Sequence, residues 1–167
     1  MEAIRFEFVA DTVMGGRSSG ALTREMVARR QAWRLTGTVS LENNGGFIQM
    51  AADLSDEGRA VDASDRTGIA FQAIDSSIAR GLWPNRGKNG ETYNIHLRTT
   101  DLTRPWQSYR QSFIAGPEWE THRIPFTDFT PHSTSIPLNT SRLRRIGIVA
   151  IGRAFEADVS IANVGFY

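Results

Sequence analysis

The chain of 167 residues contains no cysteine and a single lysine, Lys88. The absence of cysteine excludes disulfide bonds, thiolate metal sites and cysteine nucleophiles. Its formal net charge is only +1 at pH 7. A charge this small provides no strong electrostatic attraction to nucleic acid or to an anionic membrane surface. We therefore expect no nucleic-acid partner.

Long apolar runs are also missing. The opening segment, MEAIRFEFVA, contains acidic residues and resembles neither a signal peptide nor a membrane span. We therefore expect a cytoplasmic protein without direct membrane insertion. The length fits one domain spanning residues 1–167, with a core large enough to be stable without covalent cross-links.

Helical periodicity is scarce, whereas alternation of apolar and polar residues is frequent. Only LTREMVARR, residues 22–30, has a pattern compatible with a short helix. The alternating segments are residues 5–9, 32–41, 46–50, 68–74, 91–99, 107–115, 119–126, 145–152 and 157–167. About nine short strands with glycine-rich connections predict an all-β fold, an antiparallel β-sandwich or jelly roll.

Catalytic motifs are weak in this sequence. GRSSG, residues 16–20, formally matches the G-x-S-x-G pattern, but the nucleophile elbow requires a strand, a sharp turn and a helix in a parallel sheet. No phosphate-binding loop or dinucleotide fingerprint is present, and the three histidines are too far apart to indicate a local metal cluster. We therefore expect no catalytic residues, no metal and no cofactor. A weaker alternative is a glycan-processing enzyme that uses Glu118, Glu120 or Asp101.

A polar surface is predicted from the alternation in two strands. In ETYNIHLRT, residues 91–99, the side chains of Asn94, His96 and Arg98 share one face. If the next strand pairs with this one, Ser108 and Arg110 join the same face, with Trp83 or Trp106 at its rim. Arginine, asparagine and an aromatic ring suit a hydroxyl-rich or acidic ligand. The alternative is an ordinary solvated face of an antiparallel sheet.

Paired glycines occur in two segments, ADTVMGGRSSG (residues 10–20) and ENNGG (residues 42–46). Asn-Gly between alternating segments is typical of a tight hairpin turn. Paired glycines also allow close approach of the backbone to another chain segment or to a ligand. Two alternatives stay open: a structural loop in which Asp11 and Ser18 bind backbone donors, and a recognition edge.

Three separated motifs carry a resemblance to a known family. DTVMGGRSSG (residues 11–20), LTGTVSLENNGGFIQM (35–50) and EWETHRIPFTDFTP (118–131) resemble the complex I intermediate-associated protein 30 family over nearly the whole chain. The resemblance implies a jelly roll similar to galactose-binding domains. It also implies a chaperone or assembly factor for respiratory complex I, with complex I subunits as candidate protein partners.

The resemblance implies a candidate binding edge where the two glycine motifs meet. This glycine-motif edge consists of Asp11, Met14, Gly15, Gly16, Arg17, Ser18, Ser19, Asn43, Asn44, Gly45 and Gly46. Val13 also belongs to the shared pattern. The sequence departs from that pattern in several loops, including the long segment 79–93 that carries Trp83.

The resulting hypothesis is a non-catalytic binding or assembly module. The main alternative is a carbohydrate-binding module that holds a glycan or small polar ligand on the polar sheet face. That face comprises Trp83, Asn94, His96, Arg98, Trp106 and Arg110.

Overall fold

The computed structural model describes residues 4–79 and 90–167. This part of the chain is built from eleven strands and several helices of three or four residues. The strands are β1 (Glu7–Ala10), β2 (Ser19–Val27), β3 (Arg30–Val39), β4 (Phe47–Asp53), β5 (Gly68–Ile74), β6 (Glu91–Thr99), β7 (Ser108–Ala115), β8 (Glu120–Pro125), β9 (Thr130–His132), β10 (Leu143–Ile151) and β11 (Phe155–Phe166). The helices are an α-helix, α1 (Ser76–Ala79), and the 3-10 helices Asp11–Met14, Glu42–Asn44, Phe126–Asp128 and Thr140–Arg142.

The strands form two antiparallel sheets. The six-stranded sheet has the order β1-β4-β10-β6-β7-β9, and the five-stranded sheet has the order β2-β3-β11-β5-β8. The predicted all-β sandwich is confirmed, and it resembles a jelly roll in the way strands distant in sequence pair with one another. The core lies between the two sheets and includes alternate residues of β6 together with continuous buried runs in β10 and β11.

Strand β6 shows how alternation positions the two faces. Tyr93, Ile95 and Leu97 are buried in the core, whereas Asn94 and His96 are only partly buried on the outer face. Strand β7 lies beside β6, with Leu97 paired to Tyr109 and His96 paired to Arg110. The pairing assumed for the polar face is therefore present.

The segment at residues 22–30 is a strand rather than a helix. Residues Ser19–Val27 form β2, which pairs along its whole length with β3. Ala28 and Arg29 lie in the left-handed region, with φ of 45° and 70°, and close the hairpin. Pairing with β3 has overridden the local helical preference, as tertiary context commonly does.

The prediction of a hairpin at ENNGG was wrong. Strand β3 belongs to the five-stranded sheet and β4 to the six-stranded sheet, so this segment crosses between sheets. It contains the 3-10 helix Glu42–Asn44, with Asn43 in the left-handed region. The crossing is held by hydrogen bonds to Asp11 instead of by a strand ladder.

Candidate functional site

The glycine-motif edge is organised around the carboxylate of Asp11. Asp11 directly follows β1 and begins a 3-10 helix, and its side chain is completely buried. The backbone N–H of Ser18 donates to Oδ1 at 3.0 Å, and the Ser18 hydroxyl donates to Oδ2 at 2.5 Å. The N–H groups of Gly46 and Phe47 also donate to Oδ2, at 2.6 and 3.1 Å. These four residues, here called the Asp11 cluster, tie the first glycine motif to the second.

The glycines allow the backbone to wrap closely around this carboxylate. A Cβ atom on Gly16 would lie 2.4 Å from Cγ of Asp11, and one on Gly45 would lie 2.5 Å from Oδ2. Gly15 has a φ of 87°, a conformation that side chains disfavour. Close packing and backbone conformation therefore account for the glycines of both motifs.

Burial of Asp11 raises its pKa, but the hydrogen bonds from Ser18, Gly46 and Phe47 act in the opposite direction and prevail. The net result is a pKa below the ordinary value of 3.8. Asp11 is consequently ionised at neutral pH, and its charge is stabilised by donors rather than by a cation.

Ser18 has a structural role in this arrangement. Its hydroxyl donates to Asp11 and accepts a hydrogen bond from the N–H of Ser40 at 2.8 Å. The side chain is buried. The G-x-S-x-G match therefore corresponds to a buried link between loops, and Ser18 is not presented to a substrate as a nucleophile would be.

Several side chains on and next to the glycine-motif edge face solvent. Val13 is 74% exposed and Met14 is 59% exposed, both on the 3-10 helix that Asp11 begins. Leu41, from the crossing loop, is 52% exposed. Arg17 and Glu42 form an exposed ion pair at 3.8 Å between the two motifs. The outward groups thus combine apolar side chains with an exposed ion pair.

The remaining predicted members of the edge are backbone elements or exposed polar groups. Ser19 begins β2 and Asn43 lies in the crossing loop, both exposed. Asn44 ends the 3-10 helix that Glu42 begins. The structure thus brings the two motifs together, with Asp11 and Ser18 inside and Met14, Arg17, Ser19 and Asn43 outside.

The polar sheet face lies on the outer side of the six-stranded sheet. His96 of β6 is opposite Arg110 of β7, and the preceding pair in the ladder is Asn94 with Ser112. The next strand, β9, places His132 opposite Ser108. Six polar side chains from three neighbouring strands therefore share one surface.

Arg98 and Trp106 mark one end of this face. The Nη1 group of Arg98 donates to the carbonyl oxygens of Arg104, Pro105 and Gln107 at 2.9, 2.7 and 3.1 Å. These contacts hold the loop that presents Trp106, which is 56% exposed. Trp83, the other predicted rim residue, lies outside the described residues.

Three further residues of the outer face were not predicted from the sequence, and they come from strands distant in the chain. Gly147 of β10 lies beside His96, and Gln49 of β4 lies over Gly147. His132 joins through the short strand β9. Nothing in the sequence indicated these neighbours, because alternation specifies a face but not the order of strands.

Within residues 4–79 and 90–167, no group of three or more His, Cys, Asp or Glu side chains has the geometry to hold a metal ion. A helix long and apolar enough to cross a membrane is likewise not found in this part of the chain.

Comparison with solved structures defines the fold class. The family 11 carbohydrate-binding module from Clostridium thermocellum, solved with a β-1,3-1,4-mixed-linked tetrasaccharide, superposes with a TM-score of 0.70 and 13% identity. The alignment covers 96% of this chain and 87% of that one. A family 30 carbohydrate-binding module gives a TM-score of 0.59 at 14% identity, covering 86% and 71% of the two chains. The protein therefore has the β-sandwich fold of these modules, and identities this low establish shared fold alone.

An exo-β-agarase also contains this fold as part of a larger chain. It matches with a TM-score of 0.58 and 8% identity over 97% of this chain and 23% of its own. A search of curated protein sequences finds no match. The sequence itself matches the model of the complex I intermediate-associated protein 30 family over residues 2–161, and the chain belongs to that family.

Proposed function

We propose that this protein is a non-catalytic protein-binding module that acts in assembly, with the glycine-motif edge as its binding surface. The observation that carries the proposal is the exposure of Val13 and Met14 on a backbone anchored by the Asp11 cluster. Apolar side chains on a backbone that is already ordered lose little conformational freedom on binding, which favours association.

The family pattern divides into two groups at this edge. Contacts within the protein explain why the pattern contains Asp11, Gly16 and Ser18. Asp11 and Ser18 belong to the buried Asp11 cluster, and Gly16 packs closely against the Asp11 side chain. Val13 and Met14 belong to the same pattern but project from the surface. A contact with a partner accounts for these exposed apolar residues, and the family name points to an intermediate of respiratory complex I as that partner.

Affinity purification from the native host tests this proposal. The tagged protein is compared with a Val13→Ser, Met14→Ser double variant and with Met26→Ser as the matched control. Met26 is 63% exposed on β2, so its replacement removes a similar apolar surface elsewhere. We expect respiratory-complex subunits to co-purify with the wild type and the control but not with the double variant. Equal recovery by all three, or recovery of no such subunit, would contradict the proposal.

A second candidate function is carbohydrate binding on the outer face of the six-stranded sheet. The observation that favours it is the row formed by Asn94, His96, Arg98 and Arg110, with Trp106 at the rim. These groups can hydrogen-bond sugar hydroxyls, and the indole can pack against a sugar ring. The family 11 module, which shares this fold, was solved with a bound tetrasaccharide.

Isothermal titration calorimetry with a panel of oligosaccharides tests the second function. A Trp106→Ala variant should bind more weakly any sugar that the wild type binds. The substitution removes the exposed indole at the rim of the face, against which a sugar ring would pack. The Met26→Ser variant again serves as the control. A flat response of the wild type across the panel would count against carbohydrate binding.

A further inference from the structure

We propose that the outer face of the six-stranded sheet binds an anionic group, a carboxylate or sulfate, between Arg110 and His96. The inference rests on the second proposed function and specifies its ligand as an acidic rather than a neutral saccharide. It is carried by the geometry of these two side chains and by the distribution of charge across the sheet.

Arg110 presents a charge that no carboxylate of the described residues neutralises. Its side chain is half-buried on β7, and its Nε donates to the hydroxyl of Ser108 at 2.9 Å. Within the described residues it forms no ion pair with a carboxylate. Burial lowers the pKa of Arg110, which reflects the cost of holding the charge in this position. An anionic ligand would remove that cost by supplying the missing counter-charge.

His96 supplies an unused polar atom beside this guanidinium. It is the direct partner of Arg110 in the β6–β7 ladder. Its Nε2 is buried and has no hydrogen-bond partner among residues 4–79 and 90–167. Burial, together with the charges of Arg110 and His132, lowers the pKa of His96 to about 3, so the ring is neutral at pH 7. Unpaired buried polar atoms are uncommon in folded proteins, and a ligand oxygen could accept a hydrogen bond here.

The Gln49 side chain lies on the other side of His96, above Gly147. Gly147 of β10 pairs with His96 and has no side chain. A Cβ at this position would lie 2.7 Å from Oε1 of Gln49, so the Gln49 amide lies directly above the glycine. The Gln49 amide therefore fills the place that a side chain at position 147 would take, and it borders the proposed site on that side of His96.

The charges on this face are distributed unevenly. At the β1–β4 end, Glu7 and Asp53 both pair with Arg145, at 2.6 and 2.9 Å. At the β6–β7–β9 end, Arg98 and Arg110 have no carboxylate partner among the described residues, and Arg98 binds backbone carbonyls instead. A neutral saccharide would leave this excess positive charge unused, whereas an acidic one would complement it.

Calorimetry with three defined ligands tests the inference on the full chain. The ligands are trigalacturonate, the neutral β-1,3-1,4-mixed-linked tetrasaccharide and sodium sulfate. We expect trigalacturonate to bind at least about tenfold more tightly than the neutral sugar, and to weaken as salt rises because the contact is charged. Arg110→Gln should lower that affinity by about tenfold or more. Arg123→Gln on β8 of the opposite sheet removes the same charge and should leave the affinity unchanged.

The possible outcomes distinguish failure of the anionic site from failure of the proposed carbohydrate binding. Equal affinity for the neutral and acidic sugars would overturn the anionic site while leaving carbohydrate binding intact. Binding of neither sugar would overturn both. Sulfate binding as tight as trigalacturonate would support the anionic site but contradict a glycan ligand.

If Arg110→Gln fails to fold, Arg110→Lys provides a second variant. It keeps the charge without the forked donor geometry and should still weaken the binding of trigalacturonate. Undiminished binding by the folded variant would overturn the site.

Discussion

Four hydrogen bonds converge on the carboxylate of Asp11, two from Ser18 and one each from Gly46 and Phe47. Their donors lie up to 36 residues away in the sequence. One side chain therefore holds two loops that join strands of different sheets. At the scale of the residue, this buried charge explains the shared Asp, Gly and Ser positions of the first motif better than a binding role does.

We predict that Asp11→Asn destabilises the protein by about 3 kcal/mol, because the amide keeps the shape but turns an NH₂ group toward backbone donors. Chemical denaturation at pH 7 measures the change in the free energy of unfolding. Asp56→Asn, at an exposed position, provides the control and should have little effect. A loss for Asp11→Asn no larger than that of the control would contradict the structural role.

The same variant has a predicted pH dependence. Because the folded-state pKa of Asp11 is depressed below 3.8, its contribution to stability is fully present above the unfolded pKa and is lost as pH falls through the folded pKa. The stability gap between wild type and Asp11→Asn should therefore narrow as pH is lowered from about 5 toward 2. A gap that stays constant over this range would show that the charge is not the source of the effect.

Substitutions of Gly15 test the cost of a left-handed backbone conformation alone, because a side chain at this position would not clash with its surroundings. Its φ is 87°, yet a Cβ there would meet nothing within 4 Å. We predict that Gly15→Val costs more than about 1 kcal/mol, and that Gly15→Asn costs less because Asn tolerates the left-handed region. Thermal melting of the two variants beside the wild type measures the difference. Equal melting temperatures for all three would refute the prediction.

The hairpin between β2 and β3 illustrates strain at the scale of the element. Its two turn residues, Ala28 and Arg29, both have positive φ. This is the conformation of a type I′ turn, for which Asn-Gly is the preferred pair.

Replacing both turn residues, Ala28→Asn with Arg29→Gly, should stabilise the protein by about 1 kcal/mol because each new residue adopts the left-handed region at lower cost. The midpoint of urea denaturation measures the gain. Arg24→Gly, within β2, provides a control in which the effect should be reversed. It should destabilise the protein, since glycine weakens a strand interior. A lower midpoint for the turn variant would mean that its backbone conformation is not strained.

At the scale of the whole molecule, a buried polar bridge connects the two sheets. The Tyr93 hydroxyl on β6 donates to Asp75 at 3.0 Å and accepts the backbone N–H of Asp158 on β11 at 3.0 Å. Tyr93 is almost completely buried between the sheets. The bridge therefore helps to set how the six-stranded and five-stranded sheets pack.

Tyr93→Phe should destabilise the protein by about 2 kcal/mol, because it leaves a buried N–H without an acceptor and removes a donor from a buried carboxylate. Tyr109→Phe is the matched control, since that hydroxyl donates to carbonyl oxygens of Ile136 and Pro137 in a loop. We expect a smaller loss for the control in calorimetric melting. A reversed order would contradict a role for the bridge in joining the sheets.

The sequence by itself determined the all-β class and the division of β6 into a core side and a polar side. Alternation suffices for this, because successive side chains on a strand point to opposite faces. Its motifs also identified the family, and they singled out Asp11 and Ser18 as candidates for capping backbone donors. The local pattern misled at residues 22–30, where pairing with β3 prevailed over helical preference.

Only the tertiary structure decided which strands are neighbours. Every strand offers the same backbone donors and acceptors, so alternation cannot indicate that β10 lies between β4 and β6 or that β9 follows β7. For this reason Gly147, Gln49 and His132 entered the polar face only with the structure. The same holds for Asp11: its partners Gly46 and Phe47 are brought to it by the crossing between sheets, a contact that depends on the packing of the two sheets together.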